Sequence, residues 1–202
     1  MTTFYFIRHG LTQNNIERRF NGGTVDTPLV AEGIDETNRM ATELAATTFD
    51  QAYSSPQMRA QTTAQIILSQ NHAAPTIQID ERLRELKLGD WDGKVIDEVK
   101  NHPEAYNYFH QPDKFNSEKI HAESYEQLIN RGKDFISEIN QKNQNQQILV
   151  VTHGLFLMTV FSNLKQDPLS QLRKSPIVPN SSLTILKTDG EKAEFVTWGK
   201  TF

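Results

Sequence analysis

Four consecutive apolar residues, Ile148-Leu149-Val150-Val151, three of them β-branched, constrain this chain more than any other segment. A strand that is apolar on both sides must be covered on both faces. That is the condition of a central strand in a parallel sheet held between helices. The run stops at Thr152-His153-Gly154, and the apolar stretch Leu155 to Leu164 that follows suits a helix. The first residues repeat the pattern: Phe4 to Ile7 is a short apolar run that ends at Arg8-His9-Gly10.

The intervening sequence alternates between strand and helix signals. Gln51 to Ser54 and Thr76 to Asp80 read as two further strands, and Tyr125 to Ile139 as a long amphipathic helix. A helix over Ile34 to Ala46 is expected to bury Ile34, Ala41, Leu44 and Ala45. Ser55 suits an N-cap and Pro56 the first helical position, predicting a helix from there to about Leu68. The Asn/Gln-rich stretch Asn140 to Gln147 reads as a solvated connector. Ser182 to Leu186 and Ala193 to Trp198 flank Asp189-Gly190 and suit a hairpin. The segment 91–123 is the least regular; it reads as a small insertion capping the active site. No repeat or linker interrupts the pattern. The expected fold is α/β: one domain over residues 1–202, a three-layer α/β/α sandwich with a mostly parallel central sheet.

Composition narrows the function classes. At 202 residues the chain is long enough for one sizeable core. Its 21 basic and 25 acidic residues leave a formal net charge of −4, so nothing favours nucleic acid as a partner. The absence of cysteine excludes disulfides, thiolate metal sites and a cysteine nucleophile. It also fits a reducing compartment, and the expected location is cytoplasmic. The N-terminal apolar run is too short for a signal core, and no stretch approaches the ~18 apolar residues of a membrane span.

The chemistry is concentrated where strands end. His9 and His153 each stand at a strand's C-terminal end, where open α/β sheets bind their ligands. Arg8 adds a planar cation suited to phosphate or carboxylate. Arg59 falls in the first turn of a helix after a strand, so it is expected to reinforce an anion site at that helix N-terminus. Glu85, after the third strand, supplies a carboxylate able to protonate a leaving alcohol. The two histidines have no third ligand at a familiar spacing, and two arginines beside them would repel a cation. No metal is therefore expected.

These segments together resemble the histidine phosphatase superfamily, in the branch that holds cofactor-dependent phosphoglycerate mutases and small-molecule phosphatases. The residues that carry the resemblance run the length of the chain. They begin with Arg8-His9-Gly10-Leu11-Thr12 and Asn15, then Arg19-Phe20-Asn21-Gly22 and Asp26-Thr27-Pro28-Leu29 with Gly33. Tyr53-Ser54-Ser55 with Arg59, Arg82-Leu83-Arg84-Glu85 with Gly89, Trp91 and Gly93, and Val151-Thr152-His153-Gly154 complete it. The resemblance implies a phosphoglycerate mutase-like fold. It also implies that His9 is a nucleophile carrying a transient phosphoryl group and that Glu85 is the general acid. Arg8, Asn15, Arg59, His153 and Gly154 would hold the phosphate, and Thr12, Arg19, Asn21 and Gly22 would form the pocket rim.

Chemistry sets further expectations. An imidazole attacks through an unprotonated nitrogen, so His9 must be neutral and oriented through its other nitrogen, by a backbone carbonyl. His153 would stabilise developing charge best as a cation. Nearby arginines should lower the pKa of Glu85, and a bound phosphate should raise it again. A bell-shaped pH profile follows.

The family divides between mutases and phosphatases. Mutases of this type resemble one another in an Arg-His-Tyr-Gly run after the catalytic glutamate and in paired arginines in a longer insertion. This chain has Leu86-Lys87-Leu88-Gly89 and no arginine between Arg84 and Arg131. A second anionic group would be poorly held, which favours a metal-independent phosphatase of small-molecule phosphate monoesters without a cofactor. A mutase, which would require 2,3-bisphosphoglycerate, is the alternative. A slow or non-catalytic phosphate-ligand sensor is the second. Two smaller departures are Leu11, where Glu or Gln is common, and Ala122 before Glu123-Ser124, where Gly is common. Trp91, Tyr106, Tyr108, Phe109 and Phe115 read as packing for the insertion or as an apolar pocket wall. The chain is expected to be a monomer or homodimer, with no membrane partner.

Overall fold

The computed structural model describes residues 1–174 and 176–202. Six strands form one sheet: β1 (Thr2–Arg8), β2 (Gln51–Ser54), β3 (Ile77–Ile79), β4 (Gln147–Thr152), β5 (Leu183–Thr188) and β6 (Ala193–Lys200). Their order is β3-β2-β4-β1-β5-β6. The first four run parallel, and β5 and β6 join as an antiparallel pair beside β1. The helices are α1 (Gln13–Ile16), α2 (Ala31–Leu44), α3 (Met58–Ser69), α4 (Ile96–Val99), α5 (Pro103–His110), α6 (Tyr125–Lys142) and α7 (Gly154–Leu164).

Strand alternation divides the interior into two cores. Phe4, Phe6, Ile148 and Val150 pack with Phe135, Ile139, Phe156 and Phe161 of α6 and α7. Ile7, Leu149 and Val151 pack with Met40, Leu44, Ala64 and Ile67 of α2 and α3. The apolar run of β4 is thus covered on both faces, and the layering is α/β/α. Because β4 lies between β1 and β2, three parallel strand ends open on one edge of the sheet. Arg8 pairs with Thr152 in register, which sets His9 and His153 side by side.

Several local expectations are corrected. Helix α3 starts at Met58 rather than Pro56, because Gln57 keeps an extended backbone and Asp26, not Ser55, accepts the first-turn N–H groups of Met58 and Arg59, while the Ser55 hydroxyl meets His153. The α2 helix buries Thr37 and Met40 and leaves Ile34 exposed. Thr37 is drawn inward by hydrogen bonds to the Gly33 carbonyl and the Ser181 hydroxyl. Asn140 is not part of a solvated connector: α6 runs on to Lys142 and buries it. Ala122 needs no unusual backbone, since the left-handed residue is its neighbour His121, with φ 53°.

Segment 91–123 holds α4, α5 and short 3-10 turns around an aromatic cluster. Trp91 lies 5.7 Å from Phe20 and 5.6 Å from Tyr108, ring centre to ring centre. Phe115 closes the cluster against Tyr108 and Tyr125. Trp91 and Phe115 therefore serve packing, whereas Tyr106 is exposed and serves neither role proposed for it.

Candidate active site

A cavity of about 150 Å³ opens at the C-terminal ends of the parallel strands. It is lined by Arg8, His9, Asn15, Arg19, Asn21, Gly22, Glu85 and Gly154 among the residues expected there. Arg59 and His153 lie behind His9, fully covered. Thr12 is not on the rim. It is buried, and its hydroxyl donates to Asn15 Oδ1 and accepts from Asn21 Nδ2.

His9 is held in one tautomer. Its Nδ1 lies 2.8 Å from the Gly10 carbonyl, and a carbonyl only accepts, so Nδ1 carries the proton. The Nε2 lone pair remains and accepts from Arg59 Nε at 3.3 Å. Burial drives the His9 pKa well below its ordinary value, and the Arg59 and Arg8 charges push it further. The carbonyl that the sequence reading required is that of the very next residue.

His153 stands 5.2 Å from His9, ring centre to ring centre. Its Nε2 meets the Ser55 hydroxyl at 2.7 Å, and its Nδ1 is buried with no partner among the described residues. Burial, then Arg59 and His9, hold its pKa well below the ordinary value. The expectation of a cationic His153 therefore fails for the unliganded pocket, where it is neutral. Four positive or protonatable groups lie too close together for all to be charged.

Arg59 fills every donor it has. Its Nη1 reaches the Val25 carbonyl and Asp26, and its Nη2 reaches the Asn21 and Gly22 carbonyls. The same Asp26 carboxylate accepts the backbone N–H groups of Met58 and Arg59. The α3 N-terminus thus binds the chain's own carboxylate rather than standing open for a ligand. Helix α7 does the same with Glu85. That carboxylate accepts from the N–H groups of Leu155 (3.0 Å), Phe156 (2.9 Å) and Leu86 (2.9 Å). Two helix N-termini that could hold an external anion are filled internally.

Glu85 makes no ion pair with its sequence neighbours. Arg82 pairs with Asp80 and Glu138, and Arg84 with Glu81. Burial raises the Glu85 pKa, against the pull of the Leu155 and Leu86 N–H groups and of Arg59 and Arg8. The expectation that the arginines would lower it is overturned: desolvation outweighs them. Arg8 donates to the Val178 carbonyl at 2.7 Å and keeps a buried Nε without a partner. Its pKa is pushed down to about 10 by burial, with Glu85 pulling it up and Arg59 down, so it stays charged at neutral pH.

The glycines after the histidines do not serve as turn residues. Neither has a positive φ. A Cβ on Gly10 would lie 2.7 Å from Thr37 Oγ1, and one on Gly154 would lie 2.6 Å from Ile177 Cγ2 and 3.1 Å from Arg8 Nε. Close packing requires them.

Sequence reading missed the residues that hold this set in place. Gln57 accepts from the Glu85 N–H and donates to the Gly22 and Val25 carbonyls. Arg131 donates to the Arg82, Arg84 and Glu85 carbonyls and pairs with Glu123. Asn180 donates to the His9 carbonyl at 3.0 Å and to Asn15 Oδ1 at 3.3 Å. With Asn15 Oδ1 so occupied, its Nδ2 is left to face the cavity. Arg173 enters from the 3-10 turn Leu169–Lys174, and Tyr108 and Phe109 add an aromatic wall. The N-cap signal at Ser55 marked the right place for the wrong reason; the other contacts are long-range and leave no local trace.

Comparisons with known proteins place the family and the fold. The family model of the histidine phosphatase superfamily (branch 1) matches residues 4–201. Phosphoglycerate mutase-like protein 4 of Arabidopsis thaliana is 31% identical over 196 residues, covering 96% of this chain and 83% of that protein. The adenosylcobalamin/alpha-ribazole phosphatase of Escherichia coli is 31% identical over 165 residues, covering 79% and 77%. The solved structure of Bacillus stearothermophilus YhfR superposes with a TM-score of 0.91 at 31% identity, covering 98% of this chain and 97% of that one. The chain belongs to the histidine phosphatase superfamily, branch 1, and has its phosphoglycerate mutase-like fold. It is an enzyme of that superfamily, phosphatase or mutase in type.

One prediction concerns the scaffold. Asp26→Ala removes the α3 cap and the only carboxylate that contacts the buried Arg59 guanidinium among the described residues. Urea unfolding is expected to show a loss of about 1–3 kcal/mol, softened because Asp26 is partly exposed. A change below ~0.5 kcal/mol, the range of ordinary surface substitutions, would contradict this reading.

Proposed function

We propose that the protein is a metal-independent phosphatase that hydrolyses small-molecule phosphate monoesters through a phosphohistidine on His9. The observation that carries this reading is the unprotonated Nε2 of His9, fixed by the Gly10 carbonyl at the base of the cavity. In the first step Nε2 attacks phosphorus, the P–O ester bond breaks, and protonated Glu85 gives its proton to the leaving oxygen. In the second, the Glu85 carboxylate takes a proton from water, whose oxygen attacks phosphorus as the P–N bond breaks.

Phosphoryl transfer spreads charge over the equatorial oxygens, so positioned donors supply most of the catalysis. Arg8 offers its unpartnered Nε, Asn15 its free Nδ2 and His153 its unpartnered Nδ1. Bond formation at Nε2 consumes the lone pair that Arg59 Nε now contacts, so that N–H is released to a phosphoryl oxygen. The two arginines and these neutral donors do the work a metal ion would do elsewhere. A pure ligand sensor would have no use for a neutral nucleophile beside a buried acid.

The phosphatase is favoured over the mutase on charge. A mutase must retain a bisphosphorylated intermediate, and segment 91–123 supplies no arginine for it. Arg173 reaches the cavity from elsewhere, but two of its nitrogens are already engaged with Tyr108 and Tyr125. One such group suits a singly charged partner better than a second phosphoryl dianion. The test is incubation with 3-phosphoglycerate, primed with 2,3-bisphosphoglycerate, in EDTA. Free phosphate from this or generic esters, with little 2-phosphoglycerate, is expected. Rapid isomerisation with little free phosphate would make the protein a mutase.

The pH dependence follows from the two shifted groups. His9 must be neutral, and its pKa is lowered, so the acid limb of kcat/KM lies well below the usual histidine range. Glu85 must be protonated for the first step, and its pKa is raised, so activity is lost as pH climbs through that raised value. An acid optimum is expected, and Glu85→Gln should lower the rate by about 10²–10⁴ and remove the alkaline limb. An alkaline optimum, or an unchanged alkaline limb in the variant, would exclude Glu85 as the acid.

A further inference from the structure

Arg19 and Arg173 are the cations of the cavity wall that the proposed chemistry does not use, and of the two only Arg173 lacks a carboxylate partner among the described residues. It stands on the side formed by segment 91–123, with its guanidinium carbon 4.3 Å from the centre of the Tyr108 ring and 5.9 Å from that of Phe109. Its Nε donates to the Tyr108 carbonyl at 3.2 Å and its Nη2 to the Tyr125 hydroxyl at 3.0 Å. No carboxylate lies within ion-pair distance of it among the described residues, whereas Arg19 on the same cavity pairs with Glu17 and Arg59 behind it pairs with Asp26. Its Nη1 has no hydrogen-bond acceptor among the described residues.

A mostly buried guanidinium normally has an anionic partner, because withdrawing a lone charge from water is costly. Here aromatic faces, one carbonyl and one hydroxyl stand where a carboxylate would, and none of them is an acidic side chain. The wall beside Arg173 includes the apolar residues Phe20, Leu88, Phe109 and Leu155, while the polar Arg19 and Asn21 of the rim are engaged with Glu17 and Thr12. An anion entering this cavity would therefore find one partner beyond the phosphate clamp. A cavity of about 150 Å³ is also small, on the scale of one benzene ring, so the two anionic groups must be joined by a short apolar skeleton.

Resting on the phosphatase reading of the site, we propose that Arg173 is a specificity-determining residue that binds a carboxylate of the substrate. The substrate class is then a compact phosphomonoester of a small carboxylic acid. The fork of the guanidinium suits a carboxylate, and its existing contacts with Tyr108 and Tyr125 fix its direction.

The test uses the full chain and three esters: O-phosphoserine, O-phosphoethanolamine, which lacks only the carboxylate, and p-nitrophenyl phosphate. The wild-type protein is expected to favour phosphoserine over phosphoethanolamine in kcat/KM by roughly ten- to hundredfold, the range of a hydrogen bond to a charged group. Arg173→Gln should erase that ratio, mainly through KM, and leave the other two esters within about twofold of wild type. Where the Gln variant does not fold, Arg173→Lys keeps the charge without the fork, and its ratio is expected to fall several-fold. An unchanged ratio in either variant overturns the proposal. So does an equal loss on all three esters, which would make Arg173 a structural prop, or a wild-type protein that ignores the carboxylate. Hydrolysis without preference defeats only the role of Arg173. If the wild-type protein hydrolyses none of the three esters, the phosphatase reading fails, and this inference with it.

Discussion

One short hydrogen bond, from His9 Nδ1 to the Gly10 carbonyl, sets the condition for everything around it. It assigns the ring proton to one nitrogen and leaves the other with a free lone pair. The surrounding positive charge then keeps that lone pair unprotonated. Arg59 and Arg8 disfavour an imidazolium, and burial disfavours it further. The same cations that would bind a phosphate thus keep the nucleophile neutral.

Such a cluster of like charges must be held by force from outside. Arg59 is surrounded by carbonyls of residues 21, 22 and 25 and by Asp26, so the rim loop is wrapped around its guanidinium. Arg131 grips the carbonyls of Arg82, Arg84 and Glu85 from α6, and Gln57 ties Glu85 to the same rim loop. The sheet contributes position: β1 and β4 are neighbours in register, and their ends cannot separate without breaking the central pairing. The helix termini contribute less to an external anion than their location suggests, since Asp26 and Glu85 already occupy them. An incoming phosphate would depend on side chains.

The strands and the residues at their ends were legible because each is a local signal. β4 announces itself by four apolar residues, His9 and His153 follow strand ends directly, and Glu85 comes one short turn after β3. The family resemblance then pointed to Arg8, Asn15, Arg59 and the rim; Arg8, Asn15, Arg19, Asn21 and Gly22 line the cavity, whereas Arg59 and Thr12 stand buried behind its surface. What stayed hidden are contacts between distant parts of the chain. Asn180 reaches the His9 carbonyl across 171 positions, and Arg173 reaches Tyr108 across 65. Nothing in the few residues around either one marks it. The charge states were misread for a different reason. Desolvation depends on how deeply a group is covered, and the sequence named the charged neighbours of Glu85 and His153 without giving their burial.

The central claim is that the free Nε2 of His9 forms a bond to phosphorus. It is tested most directly by rapid quench into alkali with a ³²P-labelled ester, followed by peptide mapping of the labelled chain. The account requires an acid-labile, base-stable label on His9 at Nε2, absent from His9→Ala and from His9→Gln. Label on His153 or at Nδ1 of His9, or turnover with no covalent label under conditions that slow the second step, would contradict it.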